Sequence, residues 1–375
     1  MKRLTLLTLV GTVAALVALQ TAAAGGTTRY VSPSGADNAT CSKNAPCKHV
    51  QQAVNVANAG DTISLAAGTY TEQVTIAKSL SLSGAGASSS TIASPAALAP
   101  DGGGAKNIVE VNGGASVQMS KLAVAGPGPA GCDGIDNGIY LTGGASLAIT
   151  QSTVRDIHDT PLDGCQNGNA VAADSGSHLD VDHSTISNYQ KDGIVVSGAG
   201  STGQIDHNTV QTLPTDQIAS NGVEIDGGAT GTIDHNSISG NECNVAGTCG
   251  PDWFSQFQAS GVLALGTGVT VTHNDLSTND IGIYTPSDAT IDHNTVASRD
   301  FGILTDTGNS ADVDHNSVTG GVYGIYEFGG TGTFSHNSGS GASAFDLSWD
   351  STGSPSFDHN QCGTASPSKA AWDCH

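Results

Sequence analysis

The side chains suited to acid–base chemistry are unevenly spread along this chain. One group is Arg155-Asp156-Ile157-His158-Asp159, a histidine between two carboxylates beside a guanidinium. Histidine titrates near neutral pH and can take up and return a proton. Asp156, His158 and Asp159 are therefore candidates for proton transfer. Cations are scarce: past residue 121 only Arg155, Lys191, Arg299 and Lys369 occur. The first three each stand beside an aspartate (Asp156, Asp192, Asp300), ahead of a short apolar run. The plain reading is an ion pair at a corner. The chemical reading gives Arg155 and Lys191 a role in neutralising or deprotonating a substrate, and Arg299 with Asp300 a role in binding it.

Repeats show what must position these groups. VDHSTI (181–186), IDHNTV (205–210), IDHNSI (233–238), VTHNDL (271–276), IDHNTV (291–296), VDHNSV (313–318), FSHNSG (334–339) and FDHNQC (357–362) are one motif. A second motif alternates with it: NGIYL (137–141), DGIVV (192–196), NGVEI (221–225), SGVLA (260–264), IGIYT (281–285), FGILT (301–305) and YGIYE (323–327). Short β-branched runs with period-two alternation, repeated mostly every 20–24 residues, define a solenoid of short strands. Long apolar stretches at helical spacing are missing. Asn208, Asn236, Asn274, Asn294, Asn316, Asn337 and Asn360 recur at one corner and are expected to form a ladder, with asparagine tolerating left-handed backbone there. The glycine ahead of each Ile or Val is expected to permit a tight corner. The Asp-His pairs offer metal ligands, but they run along the whole shaft and read as a surface ladder.

This pattern resembles the right-handed parallel β-helix repeat proteins, the superfamily of pectate lyases and related carbohydrate-active proteins, over about residues 28–362. The resemblance implies an all-β solenoid of roughly twelve coils, about 58 Å long at about 4.8 Å per coil. It also implies that a short helix with Val50, Ala53, Val54 and Ala57 on one face caps the open first coil. The expected organisation is a signal peptide over 1–24, a capping segment over 25–60, the β-helix over 61–362 and a disulfide-tied tail over 363–375. Asp156-Ile157-His158-Asp159 looks like the DPHD motif of alginate C5-epimerases and related β-helix lyases, with Ile157 in place of proline. In that resemblance the carboxylates and histidine sit at the sugar ring. The DD, GHG and RIK segments of polygalacturonases, the RxPxxR-like segment of pectate lyases and the later blocks of pectin methylesterases have no counterpart.

A regular solenoid carries function where loops break the repeat. The breaks lie at 155–165, 211–220 and 240–260, all ahead of Gly-Ile strands, and would wall a groove beside that sheet. Tyr140, Val195, Glu224, Asp226, Tyr284, Leu304, Asp306 and Tyr326 are expected to face it. Glu224, Asp226, Trp253, Tyr284, Arg299 and Asp300 are the candidate substrate-binding residues. The blunted C-terminal coil is assigned to Pro355, Pro367 and the Cys362–Cys374 loop.

Composition bounds the partners. Lys and Arg number 12 against 34 Asp and Glu, a formal charge of −22. That argues against nucleic acid, which needs clustered cations, and against charge-driven binding to an anionic membrane. Lys2 and Arg3, the apolar run Leu4–Leu19 and Ala22-Ala23-Ala24 form a secretory signal pattern, and no later stretch is long enough to span a bilayer. Eight cysteines fit an oxidising compartment; the sequential pairing is Cys41–Cys47, Cys132–Cys165, Cys243–Cys249 and Cys362–Cys374. The expectation is a secreted, extracellular monomer acting on an extracellular polysaccharide as a lyase, hydrolase or epimerase. The sequence assigns no definite cofactor; Ca²⁺ is the candidate ion, since it would bridge this acidic surface to a polyuronate. The alternative is a non-catalytic exported rod for surface binding or adhesion.

Overall fold

The computed structural model describes residues 26–162, 164–213, 218–243, 259–308 and 310–375. They form a parallel β-helix with three sheets of 13, 12 and 12 strands, in agreement with the expected coil number. Each coil contributes one strand of the Gly-Ile motif, one ending at the Asp-His pair, and a short one following the Asn. We call these the GI, DH and TV sheets.

Alternation dictates the core. Ile194, Val223, Val262, Ile283, Ile303, Ile325 and Leu347 stack in register along the GI sheet, all without exposure. Val181, Ile205, Ile233, Val271, Ile291 and Val313 do the same in the DH sheet. Burial at about 25 cal/mol per Å² of apolar surface makes this continuous column the main stabilising term.

The corner between the DH and TV sheets is built differently from the sequence-based expectation. The left-handed backbone falls on the histidines, His183 through His359, with φ between 46° and 54°. Turning there directs the next residue into the shaft, so the Asn side chains are buried. The Asn236 amide donates to Ile205 O at 2.8 Å and to Asn274 Oδ1 at 3.0 Å, and its Oδ1 accepts from the Asn208 backbone N–H at 2.9 Å. The same pattern climbs to Asn360. The ladder satisfies backbone groups that the corner would otherwise leave buried and unpaired.

The glycines of the GI motif also act by another means than expected. Gly193, Gly222, Gly282, Gly302 and Gly324 are absent from the positive-φ positions. A Cβ on Gly302 would lie 2.1 Å from Val318 Cγ1 and 2.5 Å from Gly324 O. Space, not backbone freedom, selects glycine here.

Both ends are closed. The helix Val50–Val56 buries Val50, Ala53 and Val54, and the Glu72 carboxylate accepts the Val50 and Gln51 backbone N–H groups at 2.8 and 2.9 Å. Thr28–Val31, within the expected capping segment, pairs with Thr62–Leu65 as the first strand of the DH sheet. At the other end the fully buried Trp372 packs on Phe334 and Phe357 and its indole donates to Ser366 O at 2.9 Å. Cys41–Cys47, Cys132–Cys165 and Cys362–Cys374 are bonded; Cys249 of the fourth expected pair lies outside the described residues. No helix among the described residues is long and apolar enough to cross a membrane.

Candidate functional site

A polar column runs along the start of the GI strands. Asn137 Nδ2 donates to Asn107 Oδ1 at 2.8 Å, and Asn169 Nδ2 to Asn137 Oδ1 at 3.0 Å. One coil further on, Asp192 takes an asparagine's place, opposite Asn221 of the following coil. Asn221 Nδ2 donates both to Asp192 Oδ1 at 3.0 Å and to Glu224 Oε2 at 3.1 Å. One amide thus clamps two carboxyl groups from adjacent coils.

Burial is the largest cause of the shifts in both groups. It pushes the Asp192 carboxyl up; Lys191, Asn221 and Glu224 oppose it and Asp226 reinforces it. Burial likewise pushes Glu224 up to about 8, aided by the charges of Asp192 and Asp226 and tempered by Lys191 and Asn221. Two carboxyl groups this close cannot both ionise cheaply, so the pair holds a proton at neutral pH. Glu224 lies on the outward face opposite Val195, and Asp226 opposite Ser197. Lys191 donates through Nζ to Ala219 O at 2.9 Å. The arrangement is a proton-holding dyad with a neighbouring cation, on the open face of a sheet.

The GI face continues as expected: Tyr140, Ala172, Val195, Glu224, Leu263, Tyr284, Leu304 and Tyr326 are in register from coil to coil. Tyr284 donates its hydroxyl to Asp306 Oδ2 at 2.9 Å, and burial followed by that bond raises its phenol. Beyond it lies an aromatic platform. Tyr323 stacks on Phe301 at 5.4 Å and meets Tyr326 edge-on at 5.0 Å, and Phe328 lies 6.4 Å from Tyr326. Phe328 and Phe345 are 38% and 36% exposed, the two large apolar side chains most open to solvent among the described residues. Tyr326 stands four coils from Glu224, about 19 Å along the shaft.

The residues of the Asp156 loop take separate partners. Asp156 pairs with Arg155 and accepts from Asn188 Nδ2 at 2.9 Å. His158 Nδ1 meets the Asp159 carbonyl at 2.8 Å. Asp159 is buried and accepts the Gly134 N–H at 3.1 Å. The loop borders Lys191 through Gln190, whose side chain accepts from Asp159 N and donates to Cys165 O. Arg299 lies 3.4 Å from the buried Asp280 carboxylate, whose value burial pushes up to about 6 against the Cys243 and Ala259 N–H groups. Burial also raises Asp300. Trp253 lies outside the described residues.

Sequence reasoning missed Asp192 as a site residue. Its signal was a single Asp-Gly where neighbouring motifs read Asn-Gly. It also missed Phe301, Tyr323, Phe328 and Phe345, whose clustering needs coil register.

Residues 137–242 and 169–339 match the family model described as right handed beta helix region. The match spans more than half of the chain, and the chain belongs to this family of right-handed β-helix proteins. No curated protein matches it. Among solved structures, the periplasmic alginate epimerase AlgG is similar over 80% of this chain and 76% of its own, at 10% identity and a TM-score of 0.50. A GH136 lacto-N-biosidase from Eubacterium ramulus is similar over 80% of this chain and 64% of its own, at 11% identity and a TM-score of 0.54. Such likenesses show the shared fold.

Proposed function

We propose that this protein is an exported carbohydrate-active enzyme that hydrolyses a long, neutral polysaccharide lying along the GI sheet. The observation that carries the reading is the Asp192–Glu224 pair, a protonated carboxyl on an open sheet face at neutral pH. Glu224 donates its proton to the glycosidic oxygen, and Asp192 with Asn221 holds that proton until it is needed. As the glycosidic bond breaks, water attacks the anomeric carbon and Asp226, on the same outward row as Glu224, takes the proton that water gives up. Lys191 orients the substrate and tempers the acidic cluster. We assign proton transfer to this pair rather than to Asp156, His158 and Asp159, because those three face three different neighbours. Arg155 and that loop form one wall of the groove.

Tyr284, Tyr323, Tyr326 and Phe328 supply flat surfaces for sugar rings. The separation of about 19 Å suits a polymer rather than a disaccharide. The acidic surface favours a neutral glycan, since a polyuronate would be repelled. An alginate epimerase and a lacto-N-biosidase share the fold, which supports carbohydrate chemistry in general. Export is supported by the basic-then-apolar N-terminal pattern and by the disulfides.

The test incubates the purified protein with neutral and acidic polysaccharides and reads both reducing ends and ultraviolet absorbance of unsaturated ends. New reducing ends without unsaturation, lost in Glu224→Gln, support hydrolysis. Unsaturated ends would replace the proposal with a lyase. No product on any polymer, with proton exchange into the sugar also silent, would leave the non-catalytic rod.

A further inference from the structure

The corner between the DH and TV sheets carries eight imidazoles in one stack. From His183 to His336 consecutive rings lie 4.7 to 5.1 Å apart with interplanar angles of 4° to 12°, and His359 follows at 5.5 Å. The sequence alone suggests a surface ladder, and three structural features add to that reading. First, every polar contact of these rings among the described residues runs through Nδ1. Aspartate carboxylates hold that atom at 2.6 Å in His183, 2.8 Å in His235, 2.7 Å in His293 and 2.6 Å in His359. A carboxylate on Nδ1 fixes the tautomer with its lone pair on Nε2, as in metal-bound histidines. Second, each side chain is about half exposed or more, so an ion can reach it. Third, one ring nitrogen from each of two histidines and one carboxylate oxygen fall within 4.8 Å of one another in triads: Asp182 with His183 and His207, Asp234 with His235 and His273, Asp292 with His293 and His315, and Asp358 with His336 and His359. A fifth triad, Asp314 with His315 and His336, draws its rings from two of these.

We propose that this corner is a linear array of transition-metal sites, each ion held by the Nε2 atoms of two consecutive histidines with an aspartate behind the first or second ring. Imidazole nitrogen selects zinc, copper or nickel over calcium. Metal–nitrogen bonds of about 2.0–2.1 Å require the two Nε2 atoms to come within about 4 Å. The half-exposed rings reach this by turning about their side-chain bonds out of the parallel stack, so that the two Nε2 lone pairs, which lie in the ring planes, converge on one ion. Each Nε2 has one lone pair, so a ring serves one ion and the eight rings pair off. The capacity is four ions per chain. Occupied sites lie two coils apart, about 10 Å.

The experiment uses the whole purified chain at pH 7.5, dialysed against micromolar Cu²⁺ or Zn²⁺, with bound metal counted directly. The expected result is close to four ions per chain, with little Ca²⁺ retained. Cu²⁺ electron paramagnetic resonance should show nitrogen coupling at low loading and dipolar broadening for ions about 10 Å apart near saturation. The double variant His235→Asn, His273→Asn keeps residues that accept left-handed backbone and should bind one ion fewer with an unchanged circular dichroism spectrum. If that variant misfolds, His183→Asn, His207→Asn tests another pair. Unchanged uptake in a folded double variant, or no uptake below millimolar metal, overturns the proposal.

Discussion

Replacing Glu224 with glutamine should cost activity and add stability at alkaline pH. The folded protein holds Glu224 at about 8 against an ordinary 4.5, so the native state binds the proton more tightly than the unfolded chain. Stability contributed by the protonated form is complete below about pH 4.5 and is lost as pH rises toward 8. At about 1.4 kcal/mol per pH unit the full move is worth about 4–5 kcal/mol. The partial exposure of Glu224 and its coupling to Asp192 reduce the expectation to about 3 kcal/mol. Glutamine keeps the shape, accepts from Asn221 and cannot ionise. Urea unfolding at pH 5 and pH 8.5 should show the two proteins nearly equal at the lower pH. At the higher pH Glu224→Gln should be more stable by about 3 kcal/mol. Hydrolysis should fall at least about 100-fold across that range. Parallel stability profiles for the two proteins would refute the shared-proton reading, because Glu224 would then ionise as freely folded as unfolded.

Three further outcomes follow from the same contacts. Asn236→Ala leaves the Asn208 N–H groups and Ile205 O without their ladder partner; urea unfolding should register a loss of about 2–5 kcal/mol. Gly302→Ala drives a methyl into Val318 and the Gly324 carbonyl and should destabilise by about 1–3 kcal/mol, read as a lowered thermal midpoint. Tyr326→Ala removes part of the aromatic platform and should raise KM for a long polymer about three- to tenfold, equivalent to about 0.5–1.5 kcal/mol, while leaving kcat on a short oligosaccharide within twofold.

The solenoid was legible because its repeats are local and many. Alternation fixes which side chains face inward, and a one-residue slip would turn Ile194 and Val223 outward, so register follows from the pattern itself. The outward row containing Tyr140, Glu224, Tyr284 and Tyr326 followed from the same rule. So did three disulfides: Cys41–Cys47 and Cys362–Cys374 close short segments, and Cys132–Cys165 is the remaining pair across a longer loop. Two roles were misassigned at the level of single residues. Left-handed backbone was placed on Asn rather than His, since both tolerate it and only the direction of the chain at the corner decides which turns inward. Glycine was credited with φ freedom when the neighbouring coil's carbonyl occupies the space.

The chemistry of the candidate site depended on contacts across coils. Asp192 and Glu224 are 32 positions apart in sequence and meet only because adjacent coils stack and one Asn221 amide reaches both. Burial then raises their pKa values, a property of surroundings that no local motif carries. The DIHD segment drew attention as a compact cluster of the right residue types, yet folding sends Asp156, His158 and Asp159 to separate partners. The sequence by itself determined the repeat and the inward rows, because those are set by periodicity within each coil. Only the tertiary structure decided which carboxyl groups meet at one amide, which rings gather into a platform, and how the histidine rings stack, because those depend on the stacking of one coil on the next.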